Sequence, residues 1–89
     1  MPIVYILKLE KGKMYIGFTN NFKQRMFAHF NGYGSKVTQK YRPINIIKKI
    51  SCFSKAYGLA VEKNVTLKFA KKYGWSNVRG SVWCNSLNF

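Results

Sequence analysis

The sequence predicts an α+β fold in the order strand, strand, helix, strand, helix, followed by a packed C-terminal segment. Three observations predict it. Residues 3–19 read as a β-branched and aromatic hairpin, and two later stretches repeat large apolar residues at every fourth position. The composition, 47% hydrophobic and 17% aromatic over 89 residues, is rich enough in large side chains to build a core and excludes intrinsic disorder. A chain of this length has room for one domain, 1–89.

Ile3 to Leu9 is apolar, β-branched and aromatic, Glu10 to Lys13 is a turn, and Met14 to Thr19 is extended again. If facing residues of this hairpin sum to an even number, Tyr5 and Tyr15 project from one face; the sequence leaves the register open. Thr19-Asn20-Asn21 offers N-cap side chains for a first helix, whose buried stripe is Phe22, Met26 and Phe30 and which stops near Asn31-Gly32. Arg25 and His29 are four apart and share the neighbouring face.

Asn31 to Pro43 reads as a polar, basic loop facing phosphate, with Gly32, Gly34, Ser35, Lys36, Lys40 and Arg42. Asn45 to Phe53 reads as a third strand. Ser54 caps a second helix that reaches about Lys72, with Tyr57, Val61, Val65 and Phe69 on its buried side and Gly74 closing it. Gly58 inside that helix costs about 1 kcal/mol relative to alanine. The tail from Trp75 to Phe89 is expected to pack on the domain, with no structure assigned to it.

Sixteen Lys and Arg against two Asp and Glu leave a formal charge of +14. Stability gives no reason to keep such self-repulsion, so a polyanion is the expected partner. The charges run from Lys8 to Arg79 and therefore decorate the folded surface, which favours a nucleic acid. No apolar run approaches the roughly 18 residues of a membrane-spanning helix, so no membrane partner is expected. The opening MPIVYIL has no basic flank and reads as a strand, not a signal peptide, and the protein is expected to act inside a cell. Cys52 and Cys84 read as free buried thiols, and one histidine without a CxxC pair excludes the usual zinc site.

Of the two acids, Glu10 sits in the hairpin turn among Lys8, Lys11 and Lys13, where a solvated carboxylate needs no further explanation. Glu62 lies one position from the expected buried stripe. Its carboxylate is then partly desolvated unless a cation, a divalent metal or Arg25, faces it. A pair along its own helix is unavailable, because position 58 is glycine and position 66 threonine. Arg25 and His29 read equally as a phosphate-binding arginine beside a surface histidine. Taken singly, Tyr5 and Tyr15 read as packing residues.

In order, however, the residues form a pattern: Val4-Tyr5-Ile6 in strand one, Tyr15-Ile16-Gly17 in strand two, Arg25 ten residues after that tyrosine, His29 four further, then Glu62 on a helix. This resembles the GIY-YIG nuclease family, over nearly the whole chain through Asn77-Val-Arg-Gly80, and most of all its small single-domain members, including those of large DNA viruses. The resemblance implies a three-stranded antiparallel sheet flanked by helices and metal-dependent hydrolysis of DNA phosphodiesters. It implies that Glu62 holds one Mg²⁺ or Mn²⁺, that Arg25 binds the scissile phosphate, and that Tyr5, Tyr15 and His29 surround the attacking water. Asn77, with Asn85 as a rival, matches a late family asparagine.

The expected DNA-binding residues are Lys13, Lys23, Arg25, Lys36, Lys40, Arg42, Asn77 and Arg79, on double-stranded or branched DNA. Specificity is expected to come from a protein partner, and a viral member would act in the host cell or virion. Two positions depart from the pattern. Val4 replaces the first-motif glycine, which a strand tolerates, and Phe18 replaces a lysine that many members carry after the second-motif glycine. Without that cation to depress a tyrosine pKa, His29 becomes the expected proton acceptor. Two other readings compete with the nuclease: a catalytically silent basic DNA-binding or packaging module on the same fold, and an RNA-binding protein with exposed stacking aromatics.

Overall fold

The structure, a computed structural model, describes residues 2–80. Strands β1 (Ile3–Leu9), β2 (Met14–Thr19), β3 (Pro43–Ser51) and β4 (Val78–Gly80) form one sheet in the order β3-β1-β2-β4. Helices α1 (Phe22–Phe30) and α2 (Lys36–Lys40) precede β3, and α3 (Lys55–Tyr73) follows it. The antiparallel core of β1, β2 and β3 is the one the family resemblance implies. The sheet is nevertheless mixed, because β4 adds a fourth strand parallel to β2.

The β1–β2 register pairs Tyr5 with Gly17 and Leu7 with Tyr15, so the facing sum is even and both tyrosines project from one face. That face packs Tyr5, Leu7, Leu9 and Tyr15 against Met26 of α1 and Val37 of α2. The opposite face packs Val4, Ile6 and Ile16 with Cys52, Val78 and Ala70 of α3. Being covered on both faces explains why β1 is apolar at nearly every position instead of alternating. Cys52 is a buried free thiol; Cys84, Asn85 and the rest of the tail from 81 lie outside the described residues.

Three expectations need correction. The buried side of α3 is Gly58, Glu62, Thr66 and Ala70, one position away from the expected stripe, and Tyr57 is 46% exposed, stacked on Phe53 at 4.5 Å. The reason is close approach: small residues at 58, 66 and 70 let the helix backbone lie near the sheet, while Val61, Val65 and Phe69 pack beside that line. Glu62 is therefore central in the buried stripe, not beside it.

The second correction concerns residues 31–43, which are not all loop. Ser35 Oγ accepts the Thr38 N–H at 3.2 Å and starts the single turn of α2, which buries Val37 and Thr38. The third concerns β3, which begins at Pro43 and ends at Ser51. Proline is admitted there because β3 is an outer strand.

Asn21 caps α1 as expected, its Oδ1 accepting the Gln24 N–H at 3.2 Å, and Gly74 ends α3 with φ 88°. Among the described residues no helix is long and apolar enough to cross a membrane.

Candidate active site

Tyr5 from β1, Tyr15 from β2, and Arg25 and His29 from α1 meet on the face that α1 covers. The Tyr5 hydroxyl and His29 Nε2 are 2.8 Å apart. Ring centroids are 6.4 Å apart for Tyr5 and Tyr15, 5.5 Å for Tyr5 and His29, and 5.4 Å for Tyr15 and His29. Gly17 makes this possible: a Cβ there would overlap the Tyr5 hydroxyl, so only glycine lets the phenol lie across β2. The Arg25 guanidinium interacts electrostatically with both phenols and borders an open hollow of about 320 Å³ lined also by Thr19, Asn21, Gln24 and Ala28.

Burial raises the Tyr5 pKa above its usual value; Arg25 opposes this and the charge of Glu62 adds to it. Burial therefore outweighs the cation, and Tyr5 is a neutral phenol at pH 7. The hydrogen bond to Tyr5 pushes the Arg25 pKa up, against the desolvation that lowers it. His29 is fully buried, and burial, with Arg25 adding to it, lowers its pKa to about 4. At neutral pH it is an uncharged imidazole able to accept a proton.

Glu62 is 0% exposed. It belongs to the α3 side of the sheet, yet its charge is felt at Tyr5 on the other side. β4 pairs with β2 only from Met14 to Ile16, so from Gly17 onward no described strand lies outside β2. Groups from the two faces can approach each other around that open edge. No group of three or more His, Cys, Asp and Glu side chains gathers among the described residues. One buried carboxylate is a hard oxygen donor, which fits a Mg²⁺ or Mn²⁺ ion whose other ligands are water and phosphate oxygens, and does not fit zinc.

Phe18 lies on the face of the sheet away from the tyrosines. Side chains alternate along β2, so residue 18 projects to the α3 face, where its ring lies on Gly58. A lysine there would start from the side of the sheet opposite Tyr5 and Tyr15.

The expected DNA-binding residues other than Arg25 separate into two groups. Lys23, Lys36, Lys40 and Arg42 are exposed on or beside α1 and α2, although Arg42 also donates to the Phe30 carbonyl at 3.0 Å. Lys13, Asn77 and Arg79 instead tie β2 to the segment after α3. Lys13 Nζ donates to the Ser76 carbonyl at 3.0 Å and to Asn77 Oδ1 at 3.1 Å, and Asn77 Nδ2 donates to the Tyr73 carbonyl at 2.9 Å. Arg79, 6% exposed, donates to the Trp75 and Val78 carbonyls.

Sequence reasoning missed two residues at the cluster. Lys49 stands opposite Tyr5 in the β1–β3 register with its ammonium 4.7 Å from the centre of the Phe22 ring. Thr38 is buried with its Oγ1 2.8 Å from His29 Nδ1. A Ser35-x-x-Thr38 capping spacing was the available signal for Thr38; nothing in the sequence could have found Lys49 without the register.

A mixed sheet with two tyrosines on one face, an arginine and a histidine on the first helix and an acid on the long helix defines a class of nuclease-like domains. The chain belongs to the GIY-YIG family: the model of the GIY-YIG catalytic domain matches residues 1–74. It is similar to a UPF0213 protein of Clostridium perfringens, 43% identical over 53% of this chain and 50% of that protein. A UPF0213 protein of Staphylococcus epidermidis is 31% identical over 70% of this chain and 76% of its own length. The chain spans about half the length of the first curated relatives it matches, 50% and 43% for the Clostridium perfringens and Bacillus pumilus proteins. No solved structure matches.

Proposed function

We propose that the chain is a metal-dependent DNA endonuclease that hydrolyses phosphodiester bonds at the Tyr5–Arg25–His29–Glu62 cleft. The observation that carries the reading is one phenol held between two unlike partners. The Tyr5 hydroxyl meets the Arg25 cation and, at 2.8 Å, the buried neutral imidazole of His29. Packing alone gives no reason to bury a proton donor against a proton acceptor beside a partly exposed cation.

In this reading Arg25 binds a nonbridging oxygen of the scissile phosphate and stabilises the charge that grows there. Tyr5, being neutral, takes a proton from the attacking water only as it passes its own to His29 Nε2. The water oxygen bonds to phosphorus, the bond from phosphorus to the 3′ oxygen breaks, and that oxygen takes its proton from solvent. Tyr15 closes the other side of the water's position. Glu62 is the residue that would hold Mg²⁺ or Mn²⁺, which when bound supplies Lewis-acid stabilisation of phosphate charge. Lys23, Lys36, Lys40, Arg42 and Lys49 are exposed and would track the DNA backbone, whether double-stranded or branched.

Nicking of supercoiled plasmid with Mg²⁺ or Mn²⁺ tests this. Wild type is expected to nick, and Glu62→Ala to lose on the order of a hundredfold or more in rate. Nicking unchanged by the substitution overturns the site. Absent nicking with salt-dependent DNA binding retained would favour the catalytically silent module.

A further inference from the structure

The relay from Tyr5 works only if His29 Nε2 carries no proton, and nothing in Tyr5 itself enforces that. We infer that Thr38 is a positioning residue that holds His29 in the Nδ1–H tautomer and so leaves Nε2 free to accept the Tyr5 proton. This inference rests on the nuclease reading for its consequence, but on geometry alone for the tautomer.

The Thr38 hydroxyl has one proton and two lone pairs. Its Oγ1 lies 3.1 Å from the Ser35 carbonyl oxygen, in donor geometry, and a carbonyl can only accept. With the proton directed there rather than to Ser35 Oγ, which is farther away at 3.3 Å, Oγ1 faces His29 Nδ1 at 2.8 Å with a lone pair, which makes Nδ1 the donor. The neutral ring then has its other lone pair on Nε2, 2.8 Å from Tyr5. With the lone pair on Nε2, the Tyr5 hydroxyl is the donor in the 2.8 Å contact between them.

Two features show a built arrangement. Thr38 is fixed by its own backbone, because its N–H donates to Ser35 Oγ at 3.2 Å in the cap of α2. Gly34 leaves the space: a Cβ there would overlap both His29 Nδ1 and Thr38 Oγ1. His29 and Thr38 are both fully buried, so no solvent competes for Nδ1. The arrangement is the neutral-hydroxyl counterpart of an acid that orients a catalytic histidine.

The test is the ¹⁵N spectrum of the His29 ring at pH 7, in the full chain without metal or DNA, beside single-turnover nicking. Wild type is expected to show the Nδ1–H tautomer. Thr38→Val, of nearly the same shape, is expected to mix the tautomers and slow nicking on the order of tenfold with little change in DNA affinity. Thr38→Ser keeps the hydroxyl and is expected to restore both, which also separates this effect from a folding defect in the valine variant. A wild-type ring protonated on Nε2, or a single Nδ1–H tautomer that persists in folded Thr38→Val, overturns the inference and leaves the nuclease reading standing. Conversely, a chain that never nicks removes that reading while the tautomer result still decides the role of Thr38.

Discussion

At the scale of single residues, the Tyr5 hydroxyl is the atom on which the cleft depends, because it lies 2.8 Å from His29 Nε2 and interacts with Arg25. Tyr5→Phe leaves buried His29 without that partner and is expected to lower stability by about 1–2 kcal/mol, read as a shifted urea midpoint, while abolishing nicking. His29 gives a second expectation. Its folded pKa of about 4 lies below the usual 6.5, so as pH falls the unfolded chain takes up this proton first. The stability it contributes is complete above pH 6.5 and lost as pH falls through 4, a change of roughly 3 kcal/mol. His29→Gln should flatten that part of the pH profile; an unchanged slope would mean His29 is not buried neutral. The four-residue spacing made Arg25 and His29 legible as a pair. Thr38 was hidden because a run of small polar and basic residues reads as loop until a cap is recognised in it.

At the scale of elements, α3 shows how a sound rule can miss the centre of a buried face by one position. Large apolar residues at 57, 61, 65 and 69 mark a stripe in the sequence, but the helix turns Gly58, Thr66 and Ala70 toward the sheet and seats Phe18 on Gly58. The caps at Asn21, Ser54 and Gly74 were legible because each has a local cause; the rotation of α3 was not, because it depends on how near a helix can come to a sheet. Gly58→Ala follows from this. Helix propensity alone favours alanine by about 1 kcal/mol, whereas a Cβ would overlap the Phe18 ring and overpacking costs about 1–3 kcal/mol. The expected net result is a lower thermal midpoint, and a raised one would contradict the packing of Phe18 described above. The fourth strand escaped the sequence because three residues, Val78–Gly80, carry too short a pattern to register.

For the whole molecule, the charge of +14 predicts its partner class more clearly than any motif, but not which cations meet it. Lys13 and Arg79 looked alike with Lys23 and Lys36 in sequence and differ only in what the fold gives them to bind. If about five phosphates are neutralised around the cleft, log affinity for DNA should fall with log salt at a slope of about −4 to −5. The central claim is that Tyr5 and Glu62, from opposite faces of the sheet, serve one reaction. The most direct measurement is nicking by Tyr5→Phe, Glu62→Gln and the double variant. Groups that act as one unit are not additive, so each single variant is expected to fall to nearly the rate of the double. Losses that multiply in the double variant would place the phenol and the carboxylate in separate sites and contradict this account.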